Sequence, residues 1–160
     1  MALNFSKGVE QLSVVRLICS IDDALDLEAS NLEAYKESLD EKHLAFLPGK
    51  SPTVFVCNFK LDAKSMRLVN NSMLSAKGDD GKPSLAFGSW SQTIAKVALK
   101  DIQCPADQPV GDQLAMKKDA SGYAHDDLLG TLEQFGVVDE IFNAYLQLQK
   151  KHKSPTDSKN

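Results

Sequence analysis

The chain has 160 residues and a formal net charge of -4, a length that fits one globular domain. Hydrophobic residues make up 42% and charged residues 25%, values typical of a folded protein, which excludes a chain that is disordered throughout. The negative charge argues against a protein that binds nucleic acid through bulk electrostatics, because such proteins are usually basic.

The cysteine pattern predicts free thiols. Cys19, Cys57 and Cys104 stand far apart and are odd in number, whereas a disulfide framework or a zinc ribbon needs closer, paired spacing. No apolar run approaches the roughly 20 residues that span a bilayer, and the first residues lack the basic-then-apolar pattern of a signal peptide. We therefore expect a reducing compartment, either the cytosol or a particle assembled there.

The first half of the chain carries the strand signals. Residues 12–18 are rich in β-branched side chains and predict a strand. Residues 53–59 lie in the densest apolar run and carry apolar groups on both faces, which predicts a central strand covered on both sides. Between them, Ser30 and Glu33 match a capping box, which predicts a short helix that begins after Ser30 and ends near Leu39.

The middle of the chain alternates helix and loop signals. Asp62 is the predicted N-cap of a helix over residues 61–74, with a stripe formed by Met66, Val69 and Met73. Residues 75–84 are rich in turn formers and predict a loop. A second capping box at Ser89 and Gln92 predicts a helix over about residues 90–99, whose inner stripe is Trp90, Ile94 and Val97.

Periodicity leaves residues 97–102 open between helix and strand. After a proline-containing loop at residues 104–111, the pattern predicts a short strand at residues 114–118 and a turn at residues 119–122. The last third predicts two helices. Asp126 or Asp127 caps the first, with His125 as a further candidate, and Gly136 ends it. Its predicted inner stripe is Leu128, Leu129, Leu132 and Phe135.

The second predicted helix runs from about residue 138 to residue 150, with an inner stripe of Val138, Ile141, Phe142, Tyr145 and Leu148. The sequence thus predicts one α+β domain over residues 1–150, followed by a polar basic tail at residues 151–160. A small β-sheet in the N-terminal half is packed by amphipathic helices, and a helical pair lies at the C-terminal end. The expected core includes Phe55, Cys57, Phe59, Trp90, Leu132 and Ile141.

Motifs that carry chemistry are missing from the sequence. It contains no GxSxG, GxxxxGK[ST] or GxGxxG pattern, and its three histidines, His43, His125 and His152, lack metal-ligand spacing. Adjacent aspartates at 22–23, 79–80 and 126–127 occupy turn or cap positions and would hold Mg²⁺ only if they converged in space. A nucleophilic pair of Cys57 and His43 is formally possible. We expect no catalytic residue, no cofactor and no metal.

Residues 24–61, ALDLEASNLEAYKESLDEKHLAFLPGKSPTVFVCNFKL, and residues 136–160, with GVVDEIF and the closing SKN, carry a resemblance. They resemble small virion and tail-morphogenesis proteins of tailed bacteriophages, a group that includes tail assembly chaperones. The resemblance implies a non-enzymatic structural or assembly protein, located in the virion or in the host cytoplasm during assembly. The strand-rich N-terminal half departs from the mostly helical chaperones.

A protein of that kind acts through surfaces shared with other subunits, as a homo- or hetero-oligomer. Candidate interface residues are Met66 and Met73 on one helix face, and the basic Lys150, Lys151 and Lys153, which would suit an acidic groove on another subunit. The loop at residues 75–88 is a further candidate. The alternative is a cytosolic binding or regulatory module, such as a tail assembly chaperone or a host-protein-binding factor. Neither a membrane nor nucleic acid is an expected partner.

Overall fold

The structure is a computed structural model that describes the backbone of residues 14–74, 76–77, 83–84, 87–108 and 114–157. Side chains are described for residues 14–72, 90–108 and 114–150. Within these ranges, no helix has both the length and the apolar character needed to cross a membrane. In chain order the elements are β1 (Val14–Leu17), α1 (Leu32–Ser38), a 3₁₀ turn (Glu41–His43), β2 (Val54–Asn58), α2 (Ala63–Leu74), β3 (Ala76–Lys77), β4 (Pro83–Ser84), α3 (Phe87–Ala98), β5 (Leu99–Gln103), α4 (Asp126–Gln134) and α5 (Val137–Asp157).

The larger sheet is antiparallel, and β2 lies at its centre in the order β1-β2-β5. Phe55 on β2 is opposite Leu17 on one side and Ile102 on the other. The predicted central strand is therefore confirmed, as is the α+β class. The ambiguous stretch at residues 97–102 proves to be both, because α3 ends at Ala98 and β5 begins at the next residue.

Hydrophobic cores cover both faces of the sheet. The larger core joins Phe55 and Cys57 of β2 to buried side chains of α3, α4 and α5. On the other face, Val54 packs with Ile18 and Leu25 in a smaller core. Two-sided burial explains why β2 reads as a continuous apolar run without alternation.

The predicted core residues are buried with one exception. Trp90 is only half-buried, and its ring meets that of Phe142 edge to face, with 4.9 Å between the ring centroids and 74° between the planes. A large indole at the rim of the core buries its apolar body while part of the ring stays in contact with water.

The cap of α1 differs from the prediction by one residue. Asn31, not Ser30, is the N-cap, and its side chain accepts a hydrogen bond from the Ala34 N–H at 3.2 Å. The Ser30 hydroxyl instead accepts from the Ala45 N–H at 2.8 Å and donates to the Ala45 carbonyl at 3.1 Å. The backbone of Ala45 therefore engages the Ser30 hydroxyl, which is no longer available to cap the helix. Local spacing does not reveal this tertiary contact.

The predicted cap of α2 is confirmed, since the Asp62 carboxylate accepts from the Ser65 N–H at 2.7 Å. The loop predicted at residues 75–84 instead contains the short antiparallel strands β3 and β4. The predicted capping box at Ser89 is wrong, because α3 already begins at Phe87. Serine and glutamine three residues apart are common types at a common spacing, so the pattern also arises inside helices.

The strand predicted at residues 114–118 is also wrong. Only Lys118 pairs, in an isolated bridge with Ala124. The turn predicted after it is confirmed, and Asp119 closes it by accepting hydrogen bonds from the backbone N–H groups of Ser121 and Tyr123, at 2.8 and 3.0 Å. The turn satisfies its own backbone in this way without an extended strand before it.

A tight corner joins α4 to α5. The N-cap of α4 is His125, whose Nδ1 accepts from the Asp127 N–H at 3.1 Å, so the two aspartates lie inside the first turn, where negative charge favours the helix dipole. Gly136 has φ +76° and ends the helix as predicted.

Phe135 was expected to face inward but is 57% exposed, because the chain leaves the helical path after Gln134. Helix α5 continues beyond the predicted end at residue 150, to Asp157.

Candidate functional site

A groove of about 780 Å³ opens beside the corner between α4 and α5. We call it the corner groove. Its lining comes from the loop after β1, the segment leading into β2, the loop after β5, Leu114 and the corner itself. Residues far apart in the chain therefore converge on one surface feature.

The floor of the corner groove is apolar, and two large apolar side chains stand exposed beside it. Cys19, Phe55 and Val137 are 3%, 4% and 3% exposed, so the floor is part of the packed core. Ile21 and Phe135, which line the same groove, are 56% and 57% exposed. Large apolar side chains gathered at one exposed site are typical of surfaces that bind another molecule.

Asp22 holds one wall of the groove in place. Its Oδ1 accepts from the Ala24 N–H at 2.9 Å, and its Oδ2 accepts from the Thr53 N–H at 2.8 Å. Both carboxylate oxygens therefore bind backbone amides, and they tie the loop after β1 to the segment that enters β2. The Asp22 carboxylate therefore has a structural role.

Acidic groups predominate at the rim. Among the described lining residues, Asp22, Asp23 and Asp107 are acidic and Lys50 is the single basic one. Asp23, Asp107 and Lys50 are exposed, and Asp22 is half-buried. The excess of carboxylates gives the mouth of the groove a negative potential that favours cationic groups.

The thiols near the sheet are poor nucleophiles. Burial, followed by the charge of Glu140 and a hydrogen bond to it, raises the pKa of the Cys19 thiol. Burial raises the pKa of Cys57 to about 12. Because the thiolate is the reactive form, both groups are inert at neutral pH, and the Cys57–His43 pair has no accessible thiolate. None of the described lining residues of the corner groove is a histidine.

The two aspartate pairs in the described part of the chain, at 22–23 and 126–127, belong to no group that could hold a metal ion. Asp126 and Asp127 are both exposed and pair with Lys96 at 2.8 Å and with Lys117 at 3.2 Å, respectively. The pair at 79–80 lies outside the described residues. In the part of the chain that the structure describes, no three His, Cys, Asp or Glu side chains are grouped so as to hold a metal ion.

A second depression, of about 370 Å³, lies between α1 and α5. Two of its polar side chains, Tyr35 and Glu140, have hydrogen-bond partners within the protein. The Tyr35 hydroxyl accepts from the Ile18 N–H at 3.0 Å, burial raises the pKa of Tyr35 to about 12, and Glu140 accepts from the Ser20 N–H at 2.8 Å. The cleft is smaller than the corner groove, and part of its polar lining is engaged within the protein.

The interface residues predicted from the sequence lie elsewhere. Met66 is 36% exposed on α2, and Lys150 is exposed at the edge of the α1–α5 cleft. The side chains of Met73, Lys151 and Lys153 lie outside the described part. Sequence reasoning missed Ile21 and Phe135. The available signal was the glycine after Phe135, which marks the point where helical periodicity stops applying.

Comparisons with known protein families, with curated proteins and with solved structures each found no match.

Proposed function

We propose that the protein is a non-enzymatic structural or assembly component that works through protein–protein contacts, with the corner groove as a principal contact surface. The observation that carries this proposal is the exposure of Ile21 and Phe135 beside a buried apolar floor. Transferring a large apolar side chain from water into a partner surface contributes about 1.5–3 kcal/mol. Two such side chains at one site supply a strong anchor for another protein.

The chemistry of the lining supports binding rather than catalysis. Asp22 is engaged by two backbone amides, and the Cys19 thiol is held in its protonated form by its surroundings. An enzyme needs a nucleophile or a general base within reach of a substrate. The described side chains of the groove instead offer apolar area with charges at the rim.

The proposed setting is a phage particle, in the mature virion or in the host cytoplasm during assembly. Support comes from the resemblance of residues 24–61 and 136–160 to small phage virion and tail-morphogenesis proteins. Both stretches contribute to the groove, the first through Lys50 and Thr53 and the second through Val137. The part of the chain that carries the resemblance is thus also part of the proposed contact surface.

Site-specific photo-crosslinking tests the contact surface. A photoreactive phenylalanine analogue is placed at Ile21, at Phe135 or at Leu27, which is 60% exposed and does not line the groove. In cells that make the natural partners, we expect covalent protein adducts from the two groove positions and far less from Leu27. Adducts from Leu27 alone, or equal adducts from all three positions, would contradict the proposal.

Quantitative mass spectrometry of purified particles tests the setting. A structural component is present at a fixed copy number per particle. Adducts in the cytoplasm from a protein that is missing from the particles would favour the alternative, a cytosolic assembly chaperone or host-protein-binding factor. Catalytic turnover that depends on groove residues would overturn the non-enzymatic assignment.

A further inference from the structure

The corner groove also carries information on the chemistry of its partner. We infer that it takes a short protein segment with one or two large apolar side chains flanked by lysine or arginine. This inference rests on the proposed function and goes one step further, because it names the class of partner.

The apolar part of the inference follows from the shape and lining of the groove. Its volume of about 780 Å³ lies within the range of about 300–1,000 Å³ that is usual for ligand pockets. Cys19 contributes a sulfur to the floor, and burial and the neighbouring Glu140 raise the pKa of its thiol. The floor around Phe55 and Val137 therefore favours apolar groups, which gain free energy when they leave water.

The basic character inferred for the partner follows from the charges at the rim of the groove. Asp23 and Asp107 are exposed, and Asp22 adds a third carboxylate, whereas Lys50 is the single basic residue in the described lining. Lysine or arginine beside the apolar anchor would meet these carboxylates, whereas an acidic segment would be repelled. Attraction between exposed charges speeds association and weakens as salt is added.

The walls of the groove are held in place before any partner binds. The Asp22 carboxylate joins the loop after β1 to the start of β2, and Phe135 sits on a corner whose path is set by Gly136. At these two places a partner segment meets a surface that is already held in position, so less conformational entropy is lost on binding.

Peptide selection tests the inference directly. Random short peptides displayed on a carrier are selected on the wild-type protein and depleted on the Ile21→Ser/Phe135→Ser double variant. The expected consensus has a large apolar residue next to lysine or arginine. Acidic or neutral consensus sequences, or no enrichment, would overturn the inference.

Synthetic peptides from the selection then test each part by fluorescence anisotropy. We expect the Asp23→Asn/Asp107→Asn variant to bind an enriched peptide about three- to tenfold more weakly at low salt, with a smaller difference at high salt. The matched control is Glu37→Gln, an exposed acid on α1 that does not line the groove. Equal loss in both variants, or loss in neither, would contradict the charge argument.

The outcomes separate this inference from the proposed function. A partner crosslinked in the groove but held by an acidic or uncharged segment leaves the proposed function standing and overturns the inference. No crosslink in the groove overturns both. Self-association of the purified protein that Ile21→Ser abolishes would assign the groove to a second copy of the chain, for which the basic residues at 150–153 are candidates, and would replace the partner inferred here.

Discussion

Several aspartates in the described part of the chain accept hydrogen bonds from backbone N–H groups. Asp22, Asp62 and Asp119 each accept hydrogen bonds from backbone N–H groups at 2.7–3.0 Å. Such bonds satisfy amides at loop ends and helix starts that would otherwise lack partners. These three carboxylates therefore have a structural role, and the described residues include no group that could hold a metal ion.

The cap at Asp62 predicts a pH dependence of stability. The hydrogen bond from the Ser65 backbone N–H lowers the pKa of Asp62 below its ordinary value. Because the folded-state pKa is depressed, the carboxylate stabilises the fold at pH values above the unfolded pKa of about 3.9, and this contribution is lost as the pH falls through the folded pKa. Asp62→Asn keeps a capping oxygen but does not titrate.

Urea unfolding in a series of acidic buffers measures this difference. We expect the free energy of unfolding to fall less steeply for Asp62→Asn than for the wild type between about pH 5 and pH 2. Parallel curves for the two proteins would show that this carboxylate does not contribute to the pH dependence.

Two phenylalanines provide a matched test of the core. Phe55 is 4% exposed at the centre of the sheet and Phe135 is 57% exposed. Phe55→Ala should lower the free energy of unfolding by about 3–5 kcal/mol, because it leaves a cavity beneath the helices. Phe135→Ala should change it by less than about 0.5 kcal/mol. Chemical denaturation measures both, and similar values for the two variants would contradict the assigned core.

At the scale of elements, the corner between α4 and α5 connects fold to function. The helix ends at Gln134, and Gly136 adopts φ +76°, a conformation that L side chains disfavour. The resulting change of direction turns Phe135 outward and starts α5 at Val137, which reaches the floor of the groove. A single glycine thus permits both the tight helix packing and the exposed anchor.

Two glycine substitutions should have opposite effects on stability. A Cβ at Gly136 or at Gly130 would meet nothing within 4 Å, so neither variant introduces a clash. Gly136→Ala should destabilise by about 1–2 kcal/mol through the left-handed backbone alone. Gly130→Ala, inside α4, should stabilise by roughly 0.5–1 kcal/mol because alanine favours helix. Thermal and urea unfolding measure the change in the free energy of unfolding for each variant. A change of the same sign in both variants would contradict the corner geometry.

Local signals predicted the elements better than their ends. The two-sided apolar run of β2 and the cap at Asp62 depend on neighbouring residues, so the sequence alone located them correctly. The Ser30 cap failed because Ala45, fifteen residues away, binds the serine hydroxyl. Phe135 was placed on the wrong face because the helical period was extended past the helix end. The common cause of these errors is a contact or turn outside the pattern.

At the scale of the whole molecule, the corner groove exists only because distant segments meet. The loop after β1 joins the start of β2 through the bonds from Asp22 to the amides of Ala24 and Thr53. The loop after β5 and the α4–α5 corner complete the lining. No single stretch of sequence carries such a site, which is why the groove could not be predicted before the fold was known.

The affinity of the protein for the partner captured by crosslinking tests whether the corner groove binds that partner. Isothermal titration calorimetry compares the wild type with Ile21→Ser, Phe135→Ser and the exposed control Leu27→Ser. We expect a loss of about tenfold or more for each groove variant, because central apolar anchors dominate binding energy, and a change of less than about twofold for the control. Unchanged affinity in both groove variants, or an equal loss in the control, would contradict the claim that the corner groove binds the partner.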